Sequence, residues 1–316
     1  MRAERERRLA ELAARQFQVV TRTQLSEDLG LTPCAIDNLV RRHRLVVLRR
    51  GVYMLAGCTP DLRSALYAAT AGARTSIVSH RASTGLWRLP GGAELVEIAS
   101  PRWRRVRGRT LCDFDLVVHE SLHLSERDVV EVDGIWRTRV PRTLIDLGTS
   151  VALGHIEGAT LTLAIQDAVR RNLTDVSQLE ATFARLAPDI RIGARQFRAA
   201  LEQYQPVLAD AESSPEIKVG QVLIHAGFKV VPQYELKLSP NWTIRIDLYL
   251  PEFNRGVEVS PDCTHGNAVQ RQYDIARALR IRRVHGIEID EVSDDEIDRG
   301  CPELVAMLQT LRHPAA

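Results

Sequence analysis

Apolar residues recur along the first sixty positions with two different periods, and the change of period marks out the elements. Leu9, Leu12 and Ala13 stand at helical spacing and predict a helix over Glu4 to Gln16. Val19-Val20 leads into Thr21, and Thr23 to Leu29 reads as a short second helix. Gly30 closes it, because glycine takes the positive φ of a helix stop at little cost. After Leu31, Thr32 is placed to cap a third helix with Pro33 in its first turn. In that helix Ile36, Leu39 and Val40 form one apolar stripe, while Cys34, Asp37, Asn38, Arg41 and Arg42 face away from it. The period then falls to two. LVVLRRGVYML alternates about Arg50-Gly51, which predicts a β-hairpin with a basic tip.

The same reading covers the rest of the chain. Leu62, Ala65, Leu66 and Ala69 predict a helix over 61–73. Ser79 is the expected cap of another, HRASTGLWRL, stopped by Pro90-Gly91-Gly92. Strands are expected at 95–98, 113–118 and 129–132, and Pro141 opens a helix after Gly134. Residues 156–205 read as mostly helical, with Leu161, Ala164, Ile165 and Ala168 on one face. Further on, Glu212 to Ala226 is a helix with Pro215 in its first turn and a cap at Ser213 or Ser214. VVPQYELKL, TIRIDLYL and RGVEVS follow as strands, then a helix over 267–280. RVHGIEI reads as a last strand and DDEIDRGCPELVAMLQTL as a terminal helix.

Charge changes this picture more than composition does. The net charge is only +2. Yet residues 1–57 hold 11 Arg against 6 acids, residues 58–150 hold 13 against 11, and the remainder is acidic, with 18 bases facing 23 acids. A basic end suits an anionic polymer, and an acidic end suits a site that collects cations. Arg outnumbers Lys 39 to 3, which suits phosphate, although GC-rich codon usage accounts for most of the excess. No apolar run approaches the ~20 residues of a membrane span. MRAERERRLAEL lacks the apolar stretch of a secretory signal, so a cytoplasmic location is expected. Five scattered cysteines without a CxxC pair argue against zinc and against a disulfide framework.

Three helices followed by a hairpin predict a winged helix-turn-helix whose third helix enters the major groove. Asn38 suits an adenine edge and Arg41 suits guanine or phosphate, with Arg42 beside them. Arg49 and Arg50 on the wing would meet the DNA backbone. VVTRTQLSEDLGLTPCAIDNLVRRHRLVVLRRGVYMLAG, at about 19–57, resembles the N-terminal domain of AbiEi-type antitoxins of type IV toxin–antitoxin systems. The resemblance implies autoregulation through operator DNA and a cognate toxin as partner. In the middle region SHRASTGL and PRTLIDLG also look like AbiEi-type proteins. Between them PRWRRVRGR carries Arg102, Arg104, Arg105, Arg107 and Arg109 around Trp103. That stretch is either a phosphate-contacting hairpin or a solvated one. His80, His119 and His123 lie apart in sequence with no acidic pattern around them, and structural or surface roles are expected.

The C-terminal chemistry centres on acids at strand ends. In TIRIDLYL, Ile244, Ile246 and Leu248 share one face and Arg245, Asp247 and Tyr249 the other. Glu258 and Ser260 share a face of the next strand, so Asp247 and Glu258 can meet across neighbouring strands. Two carboxylates suffice for Mg²⁺ (or Mn²⁺), which keeps several waters and can lower the pKa of one of them. A helix bearing Glu216, strands bearing Asp247 and Glu258, and a basic helix are the layout of PD-(D/E)xK nucleases. On SPE at 214–216, RIDLYLPE at 245–252, VEV at 257–259, His265 and the D-x-x-R of Asp274 and Arg277, residues 212–293 resemble the Vsr-like branch of that superfamily. The resemblance implies Asp247 and Glu258 as metal ligands and Glu216, Asp247, Glu258 and His265 as the catalytic set. Arg271 and Arg277 would hold phosphate. The segment departs from the family at Ser260-Pro261, where an aspartate and a glycine usually stand.

The expected fold is therefore α/β (α+β multidomain). It comprises a winged helix-turn-helix at 1–57, an AbiEi-like α+β domain at 58–150, a helical connector at 151–205 and a PD-(D/E)xK-type domain at 206–316. Two functions stay open. One is a DNA-binding protein with a metal-dependent endonuclease domain. The other is an antitoxin-like transcriptional regulator whose nuclease-type domain serves in DNA binding or dimerisation.

Overall fold

The computed structural model describes residues 2–71, 76–101, 110–121, 124–190, 192–211, 213–239, 242–259 and 268–313. It is a mixed α/β chain in two compact units, one of Met1–Ala164 with Thr174–Glu202, the other of Ile165–Leu173 with Gln203–Ala316.

The first unit opens with α1 (Arg2–Ala14), β1 (Val19–Thr21), α2 (Arg22–Glu27), α3 (Pro33–Arg41), β2 (Leu45–Arg49) and β3 (Val52–Leu55). Each helix start has a local cause. Thr21 and Gln24 form a reciprocal capping box at α2, and the Thr32 hydroxyl accepts the Ala35 amide ahead of Pro33. The strands pair antiparallel in the order β1-β3-β2. Both faces of this small sheet are covered. Val20, Tyr53 and Leu45 pack with Ala13, Leu25 and Ile36, whereas Val19, Val52 and Met54 pack with Ala65, Leu66, Val96 and Ile98. The segment 1–57 therefore shares a core with the region after it, because alternate residues of β1 and β3 are apolar on both sides.

Next come α4 (Leu62–Thr70), β4 (Ile77–Val78), α5 (His80–Leu86), β5 (Val96–Ser100), β6 (Thr110–Leu111), β7 (Phe114–Glu120), β8 (Val129–Val132) and β9 (Ile135–Thr138). The strands make a mixed sheet in the order β6-β7-β5-β4-β9-β8, with β5 parallel to β7 and β4 parallel to β9. Then follow α6 (Val140–Ala152), α7 (Gly158–Arg170), α8 (Val176–Leu186) and α9 (Ala194–Glu202), and α6 packs on α5, α8 and α9. The α6–α9 approach is close enough to need glycine: a Cβ on Gly148 would stand 2.6 Å from the Gly193 carbonyl oxygen.

The second unit takes the end of α7, where the Gln166 side chain pairs with the Gln205 backbone in both directions. It continues with α10 (Ser214–His225), β10 (Val231–Ser239), β11 (Trp242–Leu250), β12 (Arg255–Val259), α11 (Ala268–His285), β13 (Glu288–Val292), α12 (Asp294–Asp298) and α13 (Pro302–Arg312). The sheet order is β10-β11-β12-β13, antiparallel except for the parallel β12–β13 pair. Leu236, Ile244 and Ile246 pack against Ile281 and Ile287. Two element boundaries differ from expectation. RVH belongs to α11, which runs on to His285 and stops where Gly286 takes φ +68°. The terminal helix is two helices, broken where Gly300 and Cys301 both take positive φ ahead of Pro302. No described helix is long and apolar enough to cross a membrane.

Candidate functional site

Three places gather chemistry. At the first, α3 buries Ile36 and turns Cys34, Asp37, Arg41 and Arg42 outward, with Asn38 half-buried. The tip of the β2–β3 hairpin holds Arg50 exposed, and Gly51 turns the chain at φ +75°. Between helix and hairpin lies a groove of about 700 Å³ whose lining includes Arg22, Val40, Arg41, Val47, Arg50 and Tyr53. Arg22 donates to Asp37 Oδ1 (3.0 Å) and to the Tyr53 hydroxyl (3.1 Å), and its backbone amide donates to the Gly51 carbonyl (2.8 Å). That residue joins the start of α2 to α3 and to the hairpin, and it offsets the one acid on the outer face of α3. Arg49 departs from its expected place on the wing surface: its guanidinium is half-buried and donates to the Ala71 carbonyl at 3.0 Å. Arg102, Arg104, Arg105, Arg107, Arg109 and Trp103 lie outside the described residues.

The second place is a largely buried cluster of histidines and a carboxylate. His80 and His119, far apart in sequence, stack ring on ring at 3.6 Å between centroids and 13° between planes. Glu97 is fully buried beside them. Its Oε1 accepts from His119 Nε2 (2.8 Å), and its Oε2 accepts the Arg81 amide (2.9 Å) with the Arg81 side chain 3.3 Å away. The parallel β5–β7 pairing brings this about, since it sets Glu97 beside Val117 and Ala99 beside His119. Ser79 does stand at the cap position of α5, but its hydroxyl bonds His80 Nδ1 (2.9 Å) instead of the helix end. Burial holds the His80 ring well below the usual histidine range, and neighbouring His119 adds to this. Glu97 is held below the usual carboxylate range. The His119 hydrogen bond and the positive charge around Glu97 outweigh its burial. Arg142 binds Asp146 Oδ1 at 2.8 Å, and burial raises the Asp146 carboxyl. His123 lies outside the described residues.

The third place is the acid pair. Leu248 pairs with Val257, so one step along the antiparallel ladder Asp247 comes opposite Glu258. Asp247 Oδ2 accepts the Val259 amide at 2.9 Å. Glu258 Oε2 accepts from Arg277 Nη1 at 2.6 Å, and Arg277 Nη2 donates to the Arg245 carbonyl at 2.9 Å. Glu258 Oε1 is buried without a hydrogen-bond partner among the described residues. Burial pushes the Glu258 carboxyl up; Arg277 pulls it back, and like charge from Asp247 and Glu291 adds to the rise. Buried Glu216, in the first turn of α10, is fully engaged: Oε1 accepts from the Ser213 hydroxyl (2.6 Å) and Oε2 from the Gln233 side chain (2.8 Å). Gln233, on β10, carried no signal in the sequence pattern.

The fit of a divalent cation to this pair can be judged from its donors. Two carboxylates on adjacent strands, one with an unpartnered buried oxygen, suit a hard cation that retains waters. Among the described residues no group of three or more His, Cys, Asp or Glu side chains is placed to hold a metal. His265 and Ser260-Pro261 lie outside the described residues, and the side chains of Arg271 and Asp274 are likewise outside them. Arg277, expected at phosphate, is bound to Glu258.

With this geometry in view, comparison with known proteins adds one match. A family model described as transcriptional regulator, AbiEi antitoxin, matches residues 7–56, which run from α1 to the end of β3. No curated protein matches the chain.

Proposed function

We propose that this chain is a DNA-binding transcriptional regulator of the antitoxin kind, with residues 1–57 acting as a winged helix-turn-helix. The observation that carries the reading is α3 itself. It is anchored by Ile36, exposes Arg41 with Arg42 just past its end, keeps Asn38 half-exposed beside them, and flanks a groove whose lining includes Arg50. The match of residues 7–56 to an antitoxin regulator family supports it. In this reading Asn38 contacts a base edge, Arg41 and Arg42 contact base or phosphate, and Arg50 meets the backbone from the wing. The implied partners are operator DNA and a cognate toxin. Arg41→Ala and Arg42→Ala should each weaken binding to the chain's own upstream DNA. Each should also lower the slope of log K against log salt by about 0.9 if the residue contacts a phosphate. Unchanged binding in both variants would remove α3 from the interface.

A second reading concerns residues 206–316 as a PD-(D/E)xK-type domain of the Vsr-like kind. It is favoured by the αβββαβ order of α10 to β13 and by the unpartnered buried oxygen of Glu258. Asp247 and Glu258 would hold Mg²⁺ or Mn²⁺, which supplies a polarised phosphoryl oxygen and a more acidic water when bound. Glu216 and His265 complete the proposed catalytic set. Metal-dependent cutting of plasmid, single-stranded or mismatched DNA that EDTA and Asp247→Ala abolish would establish cleavage. Salt-sensitive binding of those substrates without cutting would leave the domain a binding module.

A further inference from the structure

We infer that Arg277 is the resident counter-cation of the Asp247–Glu258 pair, and that a divalent cation and the Arg277 guanidinium are alternative occupants of one seat. The inference rests on the second reading above, that this pair takes a metal, and adds a latch to it.

The argument starts from charge. Two carboxylates face each other across β11 and β12, and Glu258 retains only 18% side-chain exposure. Carboxylates on facing positions with little water around them repel, and a neighbouring cation relieves that repulsion. Arg277 provides it from α11, at 23% side-chain exposure. It is held at two points, since one nitrogen binds Glu258 Oε2 and another the Arg245 carbonyl on β11. The guanidinium thus bridges both strands that carry the acids. Asp247 is turned toward the same place by the Val259 amide. A metal ion ligated by Glu258 would bring positive charge against Arg277, and the two repel at short range in a half-buried site. Metal on Glu258 Oε1 is therefore opposed while Arg277 holds Oε2, and entry is favoured when Arg277 leaves. Once released, the same guanidinium is a phosphate ligand at the mouth of the site, with forked donors suited to it. The latch offsets one of the pair's two negative charges without metal and supplies an anion-binding group only when metal is present.

The test uses the full chain and Mn²⁺ alone, without DNA. Calorimetry or electron paramagnetic resonance should show Arg277→Gln binding Mn²⁺ about tenfold or more tightly than the wild type, a shift of ~1.4 kcal/mol per tenfold. Arg277→Lys should fall between them. Arg277→Gln leaves Glu258 without its counter-charge, so circular dichroism of each variant and the charge-keeping Arg277→Lys stand beside it. Saturating Mn²⁺ should increase phenylglyoxal labelling of Arg277, read by mass spectrometry. Equal Mn²⁺ affinity in wild type and Arg277→Gln, with labelling unchanged by metal, would overturn the latch while leaving the metal seat intact. No Mn²⁺ binding in any of the three proteins would overturn both.

Discussion

The stacked histidines of the first unit make its stability depend on pH in a defined window. His80 is 5% exposed and held well below the ordinary histidine value of 6.5, first by burial and then by His119. Arg81 and Arg142 oppose its protonation as well, and Glu97 favours it. In the unfolded chain the ring takes a proton near pH 6.5. Below that pH the unfolded state binds more protons than the folded one, so stability falls as pH falls. The slope is at most about 1.4 kcal/mol per pH unit, which bounds the loss between pH 6.5 and 5.0 at roughly 2 kcal/mol. Glu97 acts lower down: with its folded value depressed, its contribution is present above about 4.5 and is lost below that. Asp146, with a raised folded value, has the opposite sign above 3.8. The measurement is urea unfolding from pH 5.0 to 8.0 in a Trp242→Phe background, so that fluorescence reports the first unit through Trp87, Trp103 and Trp136. The control is His80→Asn, since His80 sits at φ +50° and asparagine tolerates that conformation without titrating. The variant should start less stable, having lost the ring stack, but its midpoint should flatten between pH 5.0 and 6.5. A wild-type midpoint that stays constant over that range, or an equal fall in His80→Asn, would show that His80 does not set this pH dependence.

Other consequences follow from packing and from the outer face of α3. Gly148→Ala should cost about 3 kcal/mol or more, because the new methyl meets the Gly193 carbonyl oxygen at 2.6 Å; calorimetry should show a fall in melting temperature of at least ~6 °C. Ile36→Ala, at a fully buried site, should cost about 2–5 kcal/mol and abolish DNA binding only as far as the fold is lost, which circular dichroism alongside binding would separate. Asn38→Ala should leave the salt slope of DNA binding unchanged and relax preference at one base pair by about 1–3 kcal/mol, read by competition among single-base variants of the bound site.

Local chemistry determined much of this protein directly. Thr32-Pro33, the Gly30 stop and the Arg50-Gly51 turn act within a few residues, so α3 and its hairpin were legible from the chain, as were the faces of β11 and β12. Breaks that depend on local φ were partly legible. Gly286 and Gly300 end their helices as glycine should, but the apolar pattern ran across both. What the tertiary structure alone decided was which distant side chains share a place. Parallel pairing of β5 with β7 and antiparallel pairing of β4 with β5 join His80, Glu97 and His119, and no sequence spacing encodes those registers. The two-sided β1–β3 sheet merges the first sixty residues with the core that follows. Arg277 reads as one basic residue on a basic helix until β11 and β12 set Asp247 opposite Glu258. Their half-buried charge then needs a cation, and the pitch of α11 puts that guanidinium within reach.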